Sequence, residues 1–538
     1  MVGHTAEADV VVIGSGAAGL LAAIVAADRG ASVLLFERSS LFGGTTGFSG
    51  GKIWIPNSRH QRQAGLDDSP ADARRYLERA VGIGHPHMIE AYLEHAPPMV
   101  EYVEEHTSLR FYCCRNYPDY HPDWPGARPG GRPLDAVPFD ASVLGDLADT
   151  VRRSPSFLPF TQEEWESWRT VTNFDWSLIA ARIESRTYTM GAAIVAGLLH
   201  ACVERGVELH AETRVVRLQQ DADQRICGVI VTDAEGNERE TSTRWGVVIA
   251  SGGFEWSDSL RQLHLRAPVD AVASPPGNEG DGLVMGAEIG AQLGNLSEAW
   301  WMPLVQVPGE EVDGRQLSRA LITERGLPGS IIVNRAGRRF ADEAQNYNDL
   351  SRYMHRQDAS TYEHPNLPAW LIFDTAFREC YALTTIMPGQ PLPDWVASGA
   401  TLGELGERIS VDAAGLEATV QRFNGFARSG RDEDFRRGES VYDRYYGDPS
   451  VVPNPNLAPI AKAPFHAIRV LPGTIGTKGG LVTDAAARVL SVRGAPIPGL
   501  FASGNVASFW LGGGYPGAGA SLGPAMTFAY LAGLTIGE

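Results

Sequence analysis

"ADVVVIGSGAAGLLAAIVAADRGASVLLFER" (residues 8–38) holds a complete strand–turn–helix–strand pattern in one run of sequence. The apolar run at residues 10–13 is typical of a buried parallel strand. Gly14, Gly16 and Gly19 follow it, and an alanine-rich helix extends to about Asp28. A second apolar run at residues 33–36 ends at Glu37. The pattern predicts the opening unit of a Rossmann-type α/β sheet.

The three glycines have the G-x-G-x-x-G spacing of a dinucleotide-binding turn. Gly14 would permit the tight bend, Gly16 would let a pyrophosphate approach the backbone, and Gly19 would let the helix pack on the strand. The helix N-terminus offers N–H groups to phosphates, and Glu37 can accept a hydrogen bond from a ribose hydroxyl. A glycine-rich turn without a ligand is the alternative, but strand, helix, second strand and terminal acid together argue against it.

Three further segments favour FAD over NAD as the dinucleotide. "LFGGTTGFSGG" (residues 41–51) is a second glycine-rich loop that an NAD domain does not need. The apolar runs within residues 244–254 and 499–508 predict two more buried strands that end in small residues. Several strand ends meeting at one ligand are expected for FAD in an extended form. No second G-x-G-x-x-G stands between a strand and a helix, so we expect electrons to come from an organic substrate or a separate protein.

The overall composition excludes several classes of function. The chain has 538 residues, a formal net charge of −18 and ordinary apolar and charged contents of 43% and 20%. The negative charge argues against nucleic acid as a partner. The five cysteines lack metal-ligand spacing, so we expect reduced thiols and no metal site. No signal peptide and no apolar run long enough to span a membrane is evident, which favours the cytoplasm.

The middle of the chain predicts a second domain inserted into the first. The residue pattern changes after residue 291. Residues 329–349 are typical of a hairpin that turns at Arg335–Gly337 and leads into a polar stretch. We therefore predict an α/β fold with a discontinuous Rossmann-type FAD-binding domain, residues 1–300 and 477–538. An α+β catalytic domain, residues 301–476, would cap it.

Several of these motifs together resemble a known family. "GGTTGFSGG", "NRAGRRFADE" and the ending "GLFASGN…YPGAGASLGPAMTF" are similar to the fumarate reductase/succinate dehydrogenase flavoprotein superfamily. Within it the chain resembles the 3-ketosteroid Δ1-dehydrogenases over nearly its whole length. The Y-P-G-A-G segment is the specific part, because the dicarboxylate enzymes carry arginine and histidine in this region.

The resemblance implies an FAD-dependent 1,2-desaturation of 3-ketosteroids. It implies that the Tyr515 hydroxyl and the Gly519 N–H hold the enolate oxygen while a tyrosine removes the neighbouring proton. By motif position the base is Tyr347 and its helper is Tyr120, with Tyr117 as the competing helper. The chain has sixteen tyrosines, and packing is the commoner role for any one of them. His121 fits a hydrogen-bonded structural role better than acid–base chemistry.

The resemblance also implies which residues contact FAD. Gly44 stands where flavinylated members have the attached histidine, so we expect non-covalent FAD. The expected contacts come from all of the motifs described above: Gly14, Ser15, Gly16, Ala17, Ala18, Gly19, Glu37, Arg38, Gly44, Thr45, Thr46, Ser49, Gly50, Gly51, Val215, Ala250, Ser251, Gly252, Gly504, Asn505, Gly519, Ser521 and Leu522.

Other functions stay open from the sequence. A sister enzyme could desaturate the Δ4 position or another cyclic ketone. An enoate reductase of the fumarate reductase type would need arginines near the flavin, whereas Arg335, Arg338 and Arg339 read as hairpin surface. A flavin-binding redox sensor or an electron-transfer subunit is the non-enzymatic alternative. For the dehydrogenase we expect a hydrophobic ketosteroid substrate and an external electron acceptor, either a quinone or an electron-transfer protein.

Overall fold

The computed structural model of the chain describes residues 3–81 and 85–538. Two sheets organise it. A largely parallel sheet, here the central sheet, is built from the two ends of the chain, and a second sheet, here the capping sheet, comes mostly from the middle. This mixed α/β architecture confirms the predicted fold class, although the exact domain boundaries remain a prediction.

The central sheet is built outward from the strand Gly3–Ile13. This strand pairs in parallel with Val33–Phe36 on one side and with Glu238–Ile249 on the other. The complete order across the sheet is Arg488–Leu490, Pro496–Ala502, Glu238–Ile249, Gly3–Ile13, Val33–Phe36 and Glu208–His210. Ile226–Thr232 and Arg214–Gln220 add antiparallel strands beside Glu238–Ile249. The strands predicted within residues 244–254 and 499–508 are thereby confirmed as neighbours.

Three apolar helices pack together, and two of them, Ala17–Asp28 and Leu522–Thr535, contact this sheet. The helix Ala17–Asp28 contacts both Met190–Glu204 and Leu522–Thr535. All three helices are apolar around most of their circumference, which is the pattern of a buried helix. Val25 lies so close to Gly533 that a side chain at residue 533 would overlap it. The end of the chain is therefore packed against its first helix.

The capping sheet is mostly antiparallel and is built around the long strand Phe465–Thr477. Its order is Arg315–Ala320, Ala299–Val312, Phe465–Thr477, Ala369–Asp374 and Ser330–Val333. The short strands Ala271–Val272 and Ala397–Gly399 also pair with Phe465–Thr477. The predicted hairpin turn is present, since Asn334 N–H donates to the Arg338 carbonyl at 3.0 Å.

The remaining elements lie around the two sheets. The further helices before residue 300 are Gly44–Phe48, Arg59–Gln63, Pro70–Val81, Pro86–His106, Gln162–Trp168, Trp176–Glu184, Asp258–His264 and Asp281–Glu288. Those near the capping sheet are Tyr347–Met354, Thr375–Cys380, Leu402–Arg408, Ala413–Ser429 and Val441–Tyr445. The 3₁₀ helices are Ala141–Thr150, Val171–Asn173 and Gly504–Val506. The small sheets pair Ile53–Trp54 and Phe111–Cys113 with Pro133–Ala136, Phe139–Asp140 with Thr187–Tyr188, and Leu293–Gly294 with Gly480–Leu481.

Within residues 3–81 and 85–538, no helix combines the length and the apolar character that crossing a membrane requires.

Candidate active site

A cavity of about 850 Å³ lies between the central sheet and the capping sheet. The residues that line it follow the carboxyl ends of the parallel strands, where open α/β sheets bind their ligands. Gly14, Glu37 and Ala250 line one side, and Met302 and Ala320 from the capping sheet line the other. The two halves of the molecule therefore enclose one continuous site.

The glycine-rich turn forms the floor of the cavity where the first helix begins. Gly14 has a φ of +98°, and a Cβ built on it would lie 2.5 Å from the Ala250 carbonyl oxygen. Gly16 contacts almost nothing, because its added Cβ would meet only Thr46 Oγ1, at 3.5 Å. Gly19 lies beneath the turn rather than along the cavity, since a Cβ there would overlap the Gly14 carbonyl. Ser15, Ala17 and Ala18 complete the floor of this part of the cavity.

Glu37 holds the turn in shape as well as lining the cavity. Its Oε2 accepts hydrogen bonds from the Ser15 backbone N–H at 3.1 Å and from Ser15 Oγ at 2.6 Å. Its Oε1 accepts from the Ser39 N–H at 2.9 Å. This buried carboxylate therefore connects the end of the second strand to the glycine turn. Its contact with a ribose remains a prediction.

The second glycine-rich loop forms a wall beside this turn. Thr46 Oγ1 accepts a hydrogen bond from the Ala17 N–H at 3.0 Å, which joins the loop to the first helix. Thr45 Oγ1 accepts from Asn278 Nδ2 at 2.8 Å. A Cβ built on Gly44 or Gly50 would meet no atom within 4 Å. Thr45, Thr46, Ser49, Gly50 and Gly51 all line the cavity, as does Gly44.

The cavity as a whole fits an extended dinucleotide. A Cβ on Gly44 or Gly50 would meet no atom within 4 Å, and one on Gly16 would meet only Thr46, so this part of the cavity has the open space that a cofactor cradle requires. The other expected cofactor residues line the same cavity: Arg38, Val215, Ala250, Gly252, Gly504, Asn505, Gly519, Ser521 and Leu522.

Three buried tyrosines form a row at the end of the cavity. The Tyr120 hydroxyl donates to the Tyr347 hydroxyl at 3.0 Å, and the Tyr347 hydroxyl donates to the Tyr515 hydroxyl at 3.0 Å. The three rings pack edge to face, with centroids 5.0 to 5.6 Å apart. The structure thus brings the three tyrosines selected from the sequence into direct contact.

Each tyrosine is held by its local structure. Tyr347 is the first residue of the helix Tyr347–Met354, and the N-cap Asn346 accepts from the Asp349 N–H at 3.0 Å. The Tyr120 N–H donates to the Pro516 carbonyl at 2.9 Å, which ties its loop to the residue after Tyr515. These contacts join the loop, the helix and the glycine-rich segment at one point.

Burial dominates the acid–base properties of the row. It raises the pKa of Tyr347 well above the ordinary value for a phenol, and Tyr515 raises that pKa further. The hydrogen bond from Tyr120 acts in the opposite direction and lowers the pKa of Tyr347. Burial raises the pKa of Tyr515 too, while its hydrogen bond with Tyr347 lowers it. Tyr120 is therefore placed to favour a Tyr347 phenolate.

Gly519 completes this end of the cavity. Its φ is +88°, and a Cβ on it would overlap the backbone of Lys52. Its carbonyl accepts from the Trp54 and Gly523 N–H groups at 3.1 and 2.8 Å. Its own N–H has no acceptor within the described part of the chain. Only a glycine can bring this backbone so close to Lys52 and still line the cavity.

Tyr117, His121 and Tyr353 lie outside the tyrosine row, although Tyr117 lines the same cavity. The Tyr117 hydroxyl is 2.5 Å from that of Tyr446 and makes no hydrogen bond with Tyr347. His121 stacks on Trp124 with centroids 3.8 Å apart, and its Nε2 is 3.4 Å from Asp349. Tyr353 is 47% exposed, so it lies outside the buried row.

The prediction that Arg335, Arg338 and Arg339 all lie on the hairpin surface needs a correction. Arg335 and Arg338 are exposed, but Arg339 is buried and is therefore not hairpin surface. It binds Glu343 at 2.7 Å and Asp432 at 2.8 Å. The hairpin turns Arg339 inward because these buried carboxylates need a cation. Among the described residues, none of the three arginines lines the cavity.

Sequence reasoning missed several residues at the site. Asn278 lines the cavity and reaches both Thr45 and Glu255 through Nδ2, at 2.8 and 2.7 Å. The cluster "PPGNEGDG" (residues 275–282) was the signal that could have identified it. Trp300 also lines the cavity, and its ring packs against Tyr515 at 4.7 Å.

Known proteins with similar sequences support this description. The sequence profile of the FAD binding domain family matches residues 9–522. The 4-oxocyclohexanecarboxylate 2-dehydrogenase of Sinomonas cyclohexanicum is 46% identical, over 98% of this chain and 92% of that protein. The 3-oxosteroid 1-dehydrogenase of Mycolicibacterium smegmatis is 38% identical, over 98% of this chain and 97% of that protein.

A solved structure extends the similarity to three dimensions. The 3-ketosteroid Δ1-dehydrogenase of Sterolibacterium denitrificans, in complex with 1,4-androstadiene-3,17-dione, superposes with a TM-score of 0.93. The two sequences are 39% identical, and the alignment covers 99% of each chain.

Proposed function

The chain belongs to the FAD binding domain family, and from this membership we propose that it desaturates a cyclic ketone beside the carbonyl group. It is an FAD-dependent oxidoreductase of the ketosteroid dehydrogenase type, which acts on CH–CH groups. The specific proposal is a 1,2-desaturation of 3-oxosteroids. The row Tyr120–Tyr347–Tyr515 carries this proposal, because it supplies a base and an oxygen-binding donor at the end of the cofactor cavity.

The tyrosines and Gly519 divide the proposed chemistry among them. The Tyr515 hydroxyl and the Gly519 N–H hold the ketone oxygen, where negative charge develops as the neighbouring carbon loses its proton. Tyr347 removes that proton from C2, and Tyr120 donates a hydrogen bond that stabilises the resulting phenolate. Bound FAD supplies the acceptor for the hydride that leaves C1. The C2–H and C1–H bonds are thereby replaced by a C1=C2 double bond.

The cofactor would be held by the glycine-rich turn and the second loop. The helix Ala17–Asp28 begins beside the open space at Gly16. Thr46 accepts from the Ala17 N–H, and the other N–H groups of the first turn suit a pyrophosphate. Ser251 and Asn505 line the remainder of this space. We further propose that FAD is bound without a covalent bond, because the family resemblance places Gly44 where flavinylated members have the attached histidine.

The character of the cavity favours a neutral, hydrophobic ring system as substrate. Phe157, Phe160, Met302 and Ile322 line it, as does Tyr446. Burial raises the pKa of the lining residue Glu324 above its ordinary value. A fused-ring ketone fits such a surface better than a charged molecule does.

A ketone that also carries a carboxylate is the second candidate, because the relative from Sinomonas is the more similar in sequence. Such a substrate needs a free cation. Each cation of the described residues that line the cavity already has a carboxylate partner: Arg38 with Glu279 at 2.9 Å, Lys52 with Asp135 at 3.2 Å, Arg152 with Asp313 at 2.8 Å and Arg214 with Asp281 at 2.5 Å. This observation favours the steroid.

Anaerobic bleaching of the bound flavin tests the two candidates directly. We expect 4-androstene-3,17-dione to bleach the yellow holoenzyme rapidly, and 4-oxocyclohexanecarboxylate to bleach it much more slowly. If 4-oxocyclohexanecarboxylate bleaches the flavin faster than the steroid does, the smaller acid is the better substrate. Bleaching by succinate alone would reject ring-ketone desaturation. NADPH belongs to the same panel, because the absence of a second G-x-G-x-x-G motif predicts no useful reduction by it.

The electrons must then leave by another route. We propose an external acceptor, either a quinone or an electron-transfer protein, and an enzyme that works in the cytoplasm. Reoxidation of the bleached enzyme by a soluble quinone in the absence of oxygen would support the first of these acceptors.

A further inference from the structure

Lys478 lies behind the tyrosine row and has no role in the chemistry described above. It follows the capping-sheet strand Phe465–Thr477 and is fully buried. Its Nζ donates to the carbonyl oxygens of Gly513 and Gly514, at 2.9 and 3.0 Å. These are the two residues that precede Tyr515 in the chain, so the ammonium group fixes the backbone from which the Tyr515 ring extends.

The same group also contacts the aromatic rings around Tyr515. Lys478 Nζ lies 4.4 Å from the Trp300 ring centroid and 5.7 Å from that of Tyr515. Trp300 packs against Tyr515 and donates through Nε1 to Asn505 Oδ1 at 3.1 Å. A cation at the face of an aromatic ring is stabilising, and more so where water is excluded. Lys478 thus supports both the backbone and the ring of Tyr515.

Three other charged groups surround this lysine. Arg352, on the helix that begins at Tyr347, donates to the Gly513 carbonyl at 3.0 Å and binds Glu298 at 2.6 Å. Burial lowers the pKa of Lys478 to about 7; Glu298 and Asp349 oppose this fall, and Arg352 adds to it. Lys478 therefore changes its charge near neutral pH, in a position where a positive charge would attract a developing enolate.

Resting on the proposed function, we propose that Lys478 is a positioning residue that holds the Tyr515 hydroxyl on the ketone oxygen. It does so by binding the carbonyls of Gly513 and Gly514, and in its protonated form it adds a positive charge behind the ring. An oxyanion donor is effective only when its position is fixed before the reaction, so removing Lys478 weakens catalysis through Tyr515.

A double-mutant cycle with the holoenzyme tests this coupling. Lys478→Met and Tyr515→Phe are made singly and together, and kcat per bound flavin and KM are measured with 4-androstene-3,17-dione. We expect Lys478→Met to lower kcat by about 10- to 100-fold with little change in KM, as small misplacements of a catalytic group do. In the Tyr515→Phe background that loss should nearly vanish, because the two residues act as one unit. Lys462→Met is the matched control, since Lys462 is half exposed and pairs with Glu379.

A pH series provides a readout that a purely structural role would not change. Lys478→Arg keeps its charge at all working pH values. We expect the kcat of wild type, divided by that of Lys478→Arg, to fall as the pH rises through about 7, where the pKa of Lys478 lies. If the Lys478→Met holoenzyme does not fold, Lys478→Gln replaces it in the cycle as a smaller neutral variant.

The outcomes separate this inference from the function on which it rests. Wild-type enzyme that no ring ketone reduces rejects the proposed function itself. If wild type is active, two results would reject the role of Lys478 alone. In the first, the kcat losses of the two single variants multiply in the double variant. In the second, Lys478→Met keeps its kcat and only its melting temperature falls. A kcat ratio that is constant with pH rejects the charge contribution.

Discussion

The hydroxyl oxygens of Tyr347 and Tyr515 lie 3.0 Å apart, although 168 residues separate these residues in the chain. One belongs to a helix beside the capping sheet, and the other to the glycine-rich segment before the last helix. A ketone oxygen and its α-carbon are only two bonds apart. A donor for the first and a base for the second must therefore lie close together, as these two hydroxyls do.

Tyr347→Phe should remove most of the turnover and leave steroid binding intact. The substitution deletes the proposed base but keeps the buried ring that packs against Tyr120 and Tyr515. Single-turnover flavin reduction measures the chemical step, and the spectral shift of the flavin on adding 1,4-androstadiene-3,17-dione measures binding.

Tyr353→Phe is the matched control on the same helix. Its ring is 47% exposed, and we expect its flavin reduction rate to equal that of wild type. Near-normal turnover in Tyr347→Phe, or a large loss of flavin reduction rate in Tyr353→Phe, would show that Tyr347 is not the base.

Tyr515→Phe should lower kcat by about 10²–10³, because one oxyanion donor is lost while the ring and the glycine turn remain. The loss should fall on kcat more than on KM, since the enolate needs the donor more than the ketone does. Flavin content and melting temperature should scarcely change. A normal kcat with a lowered melting temperature would show a hydroxyl that serves only the packing of the tyrosine row.

Acid precipitation should release the flavin into the supernatant. The family resemblance predicts that Gly44 stands where flavinylated members have the attached histidine, so we expect no side chain there to bond the cofactor. Absorbance of the supernatant and of the redissolved pellet measures the partition. Flavin that remains in the pellet would reveal a covalent bond.

Gly16→Val should abolish FAD retention without unfolding the protein. A Cβ at residue 16 meets only Thr46 Oγ1, at 3.5 Å, so the added methyl groups occupy the space intended for the pyrophosphate. The ratio of flavin to protein after purification, together with the circular dichroism spectrum, checks both parts. Gly425→Val is the matched control in the helix Ala413–Ser429, where a Cβ also meets no neighbour within 4 Å. Full flavin content in Gly16→Val would place the pyrophosphate elsewhere.

Glu343→Gln should destabilise the protein by about 3–5 kcal/mol, because it removes the carboxylate paired with buried Arg437 and leaves buried Arg339 with Asp432 alone. Glu343 binds Arg339 at 2.7 Å and Arg437 at 3.1 Å, and all three are buried. Burial alone would raise the pKa of Glu343, but Arg339 and Arg437 outweigh burial and hold that pKa below its usual value. Denaturant unfolding at neutral pH measures the loss.

The lowered pKa of Glu343 also sets the sign of a pH effect. Its contribution to the free energy of unfolding is complete above the unfolded pKa of about 4.3 and is lost as the pH falls through the folded pKa. Wild type should therefore lose more stability than Glu343→Gln between neutral and acid pH. Asp434→Asn, which breaks the exposed pair with Arg422, should change stability far less, because water screens this pair. Equal effects of the two substitutions would contradict the buried network.

Local patterns in the sequence were sufficient to predict much of the fold. The helix Ala17–Asp28 and the strands on either side of it could be predicted, because two apolar runs flank an alanine-rich stretch and three glycines mark the turn. The inward turn of Arg339 could not be predicted this way. Its partner Asp432 is 93 residues further along the chain, and nothing in a hairpin sequence specifies that contact.

The candidate site required more than local patterns. Tyr120 and Tyr347 are 227 residues apart, and only a family resemblance distinguished them from the other tyrosines. Lys478 stands in "IGTKGGLVTD", where a single lysine among apolar residues and glycines hinted at burial. Its two carbonyl partners depend on the conformation of the glycine segment, which spacing alone does not reveal.

The packing of the last helix on the first has a consequence for biosynthesis. Ser521 and Leu522 line the same cavity as Gly14, and Leu522–Thr535 rests on Ala17–Asp28. A nascent chain can form the N-terminal strand and helix early, but one wall of the cavity is still missing until residues 504–535 have left the ribosome. The complete cavity can therefore enclose FAD only after residues 504–535 have been made. Chains released before the C-terminal segment is made should accumulate without flavin.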